Sequence, residues 1–200
     1  MFLRTIIIFL VILLVKYQSF SQEEDIEEAD TNSAYSGFAS VFAIPSSIGS
    51  KNVLFIGGIG SVIINDKYIL GGYGMRKTGM MYAEKGNFTG KMISIGSAGI
   101  VGGYDFAASH RIKPVFQCFA GMGGLTVSTA DSKGYSITEE FNRLAVFVPA
   151  ICIEFNVFWY LWLTAGVDYM YVSGVKFDGY SNSDFSRFGG YVSLKVMTGN

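Results

Sequence analysis

Two hundred residues, half of them apolar and only 16% charged, suit one domain and exclude a disordered chain. Sixteen per cent aromatic residues, 25 glycines and only 3 prolines favour many strands over helices. A formal net charge of −1, with no cluster of Lys or Arg, excludes a nucleic-acid footprint.

The chain begins as a secretion address. Arg4 gives a basic start, Thr5 to Val15 an apolar core, and Ser19-Phe20-Ser21 a small-x-small cleavage site before Gln22. The core is about eleven residues, short for a spanning helix, so a cleaved signal peptide over 1–21 is expected rather than an anchor. No Cys follows the cleavage site, which argues against a lipoprotein. Residues 22–34 then carry Glu23, Glu24, Asp25, Glu27, Glu28 and Asp30. So many like charges with little to bury read as a solvated, disordered tail, or else as a short docking arm for a basic partner.

From Tyr35 the pattern turns to strands. The first runs over Tyr35–Ile44 and is followed by a turn-rich break from Pro45 to Asn52. Val53–Ile64 and Lys67–Tyr82 flank a two-residue turn at Asn65-Asp66. A polar loop (83–90) leads to Lys91–Tyr104, and Asp105–Ile112 turns the chain into Lys113–Ser128. The longest polar loop covers 129–142. Strands six and seven form a hairpin about Asn156–Phe158; a last loop (174–183) precedes strand eight at Asp184–Met197. Long polar joins thus alternate with shorter ones.

The hairpin from Arg143 to Ser173 carries the most information. Phe147, Pro149, Ile151, Ile153, Phe155 and Val157 share one face of its first strand, with Ala150, Cys152, Glu154 and Asn156 on the other. In its second strand Leu161, Leu163, Ala165, Val167, Tyr169 and Tyr171 oppose Trp162, Thr164, Gly166 and Asp168. A continuous apolar face backed by a small or polar one suits a wall between lipid and a lumen. An all-β, eight-stranded antiparallel up-and-down transmembrane β-barrel over 35–198 is expected. A spanning helix over 144–163 is disfavoured by Pro149, Glu154 and Asn156. Glycines inside strands two to five relieve crowding in a tightly curved barrel.

The segments GGIGSVIINDKYILGGYGM (57–75), ICIEFNVFWYLWLTAGVDYMYVSGV and SNSDFSRFGGYVSLKV resemble small, mostly uncharacterised outer-membrane β-barrel proteins of Gram-negative bacteria. The resemblance implies that fold and the cell outer membrane as location, with no activity and no catalytic residues. Many such barrels end in an aromatic that the assembly machinery reads. This chain ends Lys195 to Asn200, with Phe188 and Tyr191 upstream, which points to a variant signal or another export route.

No convincing enzyme chemistry emerges. The single histidine, His110, has Ser109 and Asp105 near it in sequence, but adjacency on a turn is no triad. One His and two separated Cys make no metal set, and Gly121-x-Gly123-Gly124 lacks a strand-to-helix context. No cofactor is expected. Cys118 and Cys152 fall opposite one another if their hairpin folds about Tyr135, so a disulfide is a possible cross-link. Glu154 and Lys195, with Asp168 and Arg76, are expected to form an ion-pair network that fills the lumen, which in an eight-stranded barrel has room for side chains only. Trp159, Tyr160, Tyr169, Tyr171, Tyr82 and Tyr35 are expected as interfacial girdles.

The expected function is structural or surface-interacting, without catalysis, through exposed loops at 132–140 and 176–183. The expected partners are outer-membrane lipid and the barrel assembly machinery, not nucleic acid. Two alternatives stay open: a narrow channel for small solutes, and an exported soluble lipocalin-like barrel that binds a small lipophile.

Overall fold

The computed structural model describes residues 35–107, 111–130 and 136–197. The expected signal peptide and acidic tail, Ser109, His110 and Tyr135 lie outside them. Eight antiparallel strands form a closed ring in which each pairs with its sequence neighbour and the last returns to the first. They are β1 (Tyr35–Ile48), β2 (Lys51–Ile64), β3 (Tyr68–Lys77), β4 (Met92–Asp105), β5 (Ile112–Ala130), β6 (Ser136–Phe158), β7 (Leu161–Ser173) and β8 (Arg187–Met197).

The ring closes with a stagger. Partners of Ser40 followed through Ile59, Tyr73, Gly99, Gly121 and Val146 arrive at Val172 on β7. Going the other way, Ser40 pairs with Lys195, and Lys195 with Trp162 on the same strand. The two routes end ten residues apart (172 against 162), so the strands are strongly tilted.

Alternation sorts side chains to two faces. Outside lies an apolar belt that includes Val41, Ile100, Met122, Ile151 and Val167, the last two 67% and 63% exposed. Inside lie Phe42, Phe119, Tyr191, Glu154 and Lys195, among others, all buried. Gly99 and Gly121 face each other across β4 and β5. A Cβ on either would stand 2.2 or 2.3 Å from a carbonyl oxygen of the partner strand, so only glycine permits this approach. Gly60 and Gly74 differ: a Cβ there would meet nothing within 4 Å, so crowding does not explain them.

Turn chemistry fixes one end of the barrel. Asn65 and Asp66 both adopt left-handed φ, at 51° and 57°, and the Lys67 N–H donates to the Ile64 carbonyl at 3.2 Å. That is the primed geometry whose twist matches the flanking strands. The other two joins on this side are 106–111 and Trp159-Tyr160.

Several boundaries differ from the sequence expectation. β1 and β2 continue through the expected break to a two-residue turn at Gly49-Ser50. Pro45 is tolerated because the β1–β8 ladder stops at Ala43↔Val192, just before the missing donor is felt. β3 ends at Lys77 rather than Tyr82, and β8 starts at Arg187 after a four-residue helix, α1 (Asn182–Phe185). The largest difference lies between β5 and β6, whose ladder continues through Thr126↔Phe141 and Ser128↔Thr138. The strand residues that fall in the expected 129–142 loop are mostly polar, Ile137 and Phe141 apart, so hydropathy does not reveal them as strand.

Candidate functional site

The lumen is filled in layers. At the short-turn end, Glu154 of β6 meets Lys195 of β8 at 2.5 Å and Lys113 of β5 at 3.7 Å, and Lys113 also pairs with Asp105 at the end of β4. Two carboxylates and two ammonium groups thus balance in a space where Glu154 is 0% and Lys195 1% exposed. Thr164 Oγ1 donates to Glu154 Oε1 at 3.4 Å. Lys113 Nζ lies 4.4 Å from the centre of the Trp162 ring and Lys195 Nζ 4.7 Å from that of Phe38. Shared partners and ring faces replace the water these charges have lost.

Sequence pattern places Glu154 and Lys195 on the lumen side, and the structure brings them together. Lys113 and Asp105 join them unanticipated. Their signal is present, since Lys113 alternates with Val115, Gln117 and Phe119 on the inward face of β5, but both residues sit at a strand end and read as turn. Asp168 is inward and buried, yet both its carboxylate oxygens lack a protein hydrogen-bond partner and it joins no ion pair among the described residues. Arg76 is a correction. It is exposed on the outer face of β3, while its neighbour Lys77 turns inward; the parity of β3 takes it out of the lumen.

The disulfide is also corrected. Cys118 lies opposite Pro149, and Cys152 opposite Val115. This odd-numbered slip from the expected register puts the two residues on opposite faces. Cys152 is buried inside, Cys118 lies on the outer wall, and both are free. Alkylation of the denatured, unreduced protein is expected to label two thiols per chain; an unreactive pair would mean the register is wrong.

Above the charges, four rings cross the lumen. Phe42, Phe119 and Tyr191 stand 5.6, 5.8 and 5.9 Å apart between ring centres, and Tyr73 meets Phe119 edge-on at 5.3 Å. Beyond them the interior is mainly apolar, with Ile44, Phe55, Met170 and Val172, Met81 and Ala83 from the β3–β4 connection and Phe177 and Phe185 from the β7–β8 connection, but Lys77, Ser97, Ser128, Asn142 and Asp168 are buried there too.

Those two connections form an ordered cap. Phe88 packs on Phe177 at 5.0 Å between ring centres. The Asn87 N–H donates to Asp178 Oδ2 at 3.1 Å, and the Glu84 N–H to the Tyr180 hydroxyl at 2.9 Å. The β1–β2 turn is tied in through the Gly49 N–H to the Asp184 carbonyl, and through Lys51 to Glu84 at 3.1 Å. Asp184 Oδ2 accepts from both the backbone N–H and the hydroxyl of Ser181.

These bonds, the backbone one foremost, hold the Asp184 carboxyl below its ordinary range; Lys51 beside Glu84 does the same there. A depressed folded value contributes stability above the unfolded value and loses it as pH falls through the folded one. The cap is therefore expected to keep its Tyr180 near-ultraviolet signal from neutral pH down through the usual carboxylate range, and to lose it only below. Loss well above that range would mean that these carboxylates do not hold the cap.

Aromatic side chains mark both edges of the outer belt. Trp159, Tyr160, Tyr171 and Tyr82 are exposed, and Tyr169 packs on Phe188 at 4.7 Å between ring centres. The Tyr35 side chain lies outside the description. Tyr68, Tyr104 and Phe106 add an edge-to-face row at the short-turn end.

No protein-family model and no curated protein matches the sequence. Solved structures do match. Neisserial surface protein A is 16% identical with a TM-score of 0.57, over 83% of this chain and 99% of that one. The N-terminal β-barrel domain of Pseudomonas aeruginosa OprF is 10% identical at 0.54, over 84% and 100%. The attachment invasion locus protein Ail of Yersinia pestis, solved with the heparin analogue sucrose octasulfate, is 11% identical at 0.50, again over 84% and 100%. These are eight-stranded outer-membrane barrels. The fold is an eight-stranded transmembrane β-barrel. Its apolar belt and aromatic edges are what that fold requires of a wall facing lipid.

Proposed function

We propose that the protein resides in the bacterial outer membrane as a non-catalytic barrel whose working surface is its ordered cap. Residues 1–21 are read as the cleaved export signal and 22–34 as an acidic tail, from the sequence alone. The observation that carries the reading is the filled interior, with charges at one end, four rings across the middle and apolar packing beneath the cap. A barrel filled in this way offers no solute path, which counts against the narrow-channel alternative. The exposed belt counts against the soluble lipocalin-like alternative, because it would leave a large apolar surface wet.

What is left to act is the loop side, where Lys85, Lys176, Asp178 and Gly179 are exposed on a cap held rigid from below. The neighbours support a surface-contact role, since one is called a surface protein and another an attachment protein that was solved with a sulfated sugar. Outer-membrane lipid and the barrel assembly machinery are the partners this location implies.

The test is gel mobility, boiled against unboiled, on separated membranes. Outer-membrane location with a heat-dependent shift is expected, together with no unitary conductance in planar bilayers. Stable conductance would favour the channel. Detergent-free solubility would favour the lipocalin-like barrel.

A further inference from the structure

One inward step from the four rings toward the short turns, the lumen wall changes character. Phe42 is followed by Ser40 on β1, Tyr73 by Gly71 on β3, Phe119 by Gln117 on β5, and Tyr191 by Ser193 on β8. Ser61 of β2 pairs with Gly71 and enters the same level. One step further lie Lys195 and Trp162, with Glu154 and Asp105 beside them, and Lys113 follows on β5 past Val115. Between a roof of rings and a floor of charges, the barrel therefore carries a band of small or polar residues.

The polar atoms of the band, and the Trp162 indole N–H just below it, are not satisfied by one another. Ser40 Oγ, Ser61 Oγ, Gln117 Oε1 and Trp162 Nε1 are buried and have no protein hydrogen-bond partner. Ser40 is 7%, Ser61 8%, Gln117 2% and Trp162 9% exposed. A buried polar group left bare is costly, so several around one space in a stable barrel call for a common partner.

The chemistry of the set selects that partner. Trp162 Nε1 only donates, Gln117 Oε1 only accepts, and the two serines do both. A metal cation cannot take the indole proton, and an anion cannot serve the amide oxygen. The floor's charges already balance. Only a small neutral molecule that both donates and accepts fits all four.

We infer that this band encloses an internal cluster of ordered water, closed above by the rings and below by the charged quartet. The cluster is a binding site within the lumen wall and not a segment of a channel. Its water hydrogen-bonds Ser40, Ser61, Gln117 and Trp162. Buried waters with two to four polar partners are ordinary structural elements of proteins, at about one per 27 residues.

The test uses the full mature protein in detergent micelles and reads the two indole N–H protons by NMR. Trp159, exposed at the short-turn edge, serves as the internal reference for bulk solvent, and Trp159→Phe assigns the remaining signal to Trp162. The expected result is a cross-relaxation peak from Trp162 to water with the sign of a long-lived bound molecule. A soluble paramagnetic agent is expected to broaden Trp159 while leaving Trp162 sharp. Ser61→Val, which fills the band, is expected to remove most of the Trp162–water peak. Absence of that peak in the wild-type protein would overturn the inference, because the band would be dry. Broadening of Trp162 by the agent would overturn it too, because the space would open to bulk. The wild-type spectra decide the matter even if the valine variant does not fold.

Discussion

Glu154→Gln is expected to destabilise the barrel by about 3–5 kcal/mol, the cost of leaving a buried charge without its counter-ion. Among the described residues Glu154 is the carboxylate that pairs with both Lys195 and Lys113, at 2.5 and 3.7 Å. The glutamine keeps the shape and one acceptor but leaves two ammonium groups facing Asp105 alone. Urea unfolding in liposomes, followed by the mobility shift on gels, should show a lower midpoint with an unchanged slope. Adding Lys195→Met should recover much of the loss, since a buried pair replaced by apolar groups is often neutral while half a pair is not. The coupling between the two changes is expected to be about 0.5–3 kcal/mol. A Glu154→Gln protein as stable as the wild type would show that the quartet does not hold the floor of the lumen.

The origin of that quartet shows how far the sequence reaches. Glu154 and Lys195 are legible because each interrupts a period-two pattern on the inward face of a long strand. They meet because the tight β6–β7 turn and the register Trp162↔Lys195 bring β6, β7 and β8 level. Lys113 and Asp105 border a turn, where a charge is ordinarily solvated, and only the β5–β6 register, Lys113↔Glu154, sets Lys113 beside Glu154 with Asp105 against it. Arg76 is not legible for want of parity: Gly72 and Gly74 before it give no sign of which face is inside. The cysteines failed for a related reason. A slip in the β5–β6 hairpin, whose register shifts at Val127/Ser128, moved Cys118 to the outer wall. Strand count and topology come through because they rest on the belt, which is written in every strand. Loop order does not, because the cap is held by single contacts such as Asn87 to Asp178 that leave no periodic trace.

The belt itself gives the second large effect. Ile151→Arg is expected to cost about 2–4 kcal/mol, the penalty for a cation on the lipid face of a barrel near the bilayer midplane. Ile151 is 67% exposed, lies midway along the outward row from Phe147 to Val157, and pairs with the equally outward Val167. Were the surroundings water, such an exposed substitution would change stability by no more than about 0.5 kcal/mol. The same protein fold thus predicts two outcomes separated by several-fold, and the solvent alone decides between them. Ser94→Arg is the control, since Ser94 is exposed on β4 close to its outer end, where the penalty falls to about 0–1 kcal/mol. Unfolding of both variants in liposomes reads the difference directly. A large loss for Ile151→Arg with little for Ser94→Arg places the belt in hydrocarbon and the cap outside it. Equal, small effects would leave the barrel standing but remove its membrane, and with it the reason for more than a dozen apolar side chains to face outward.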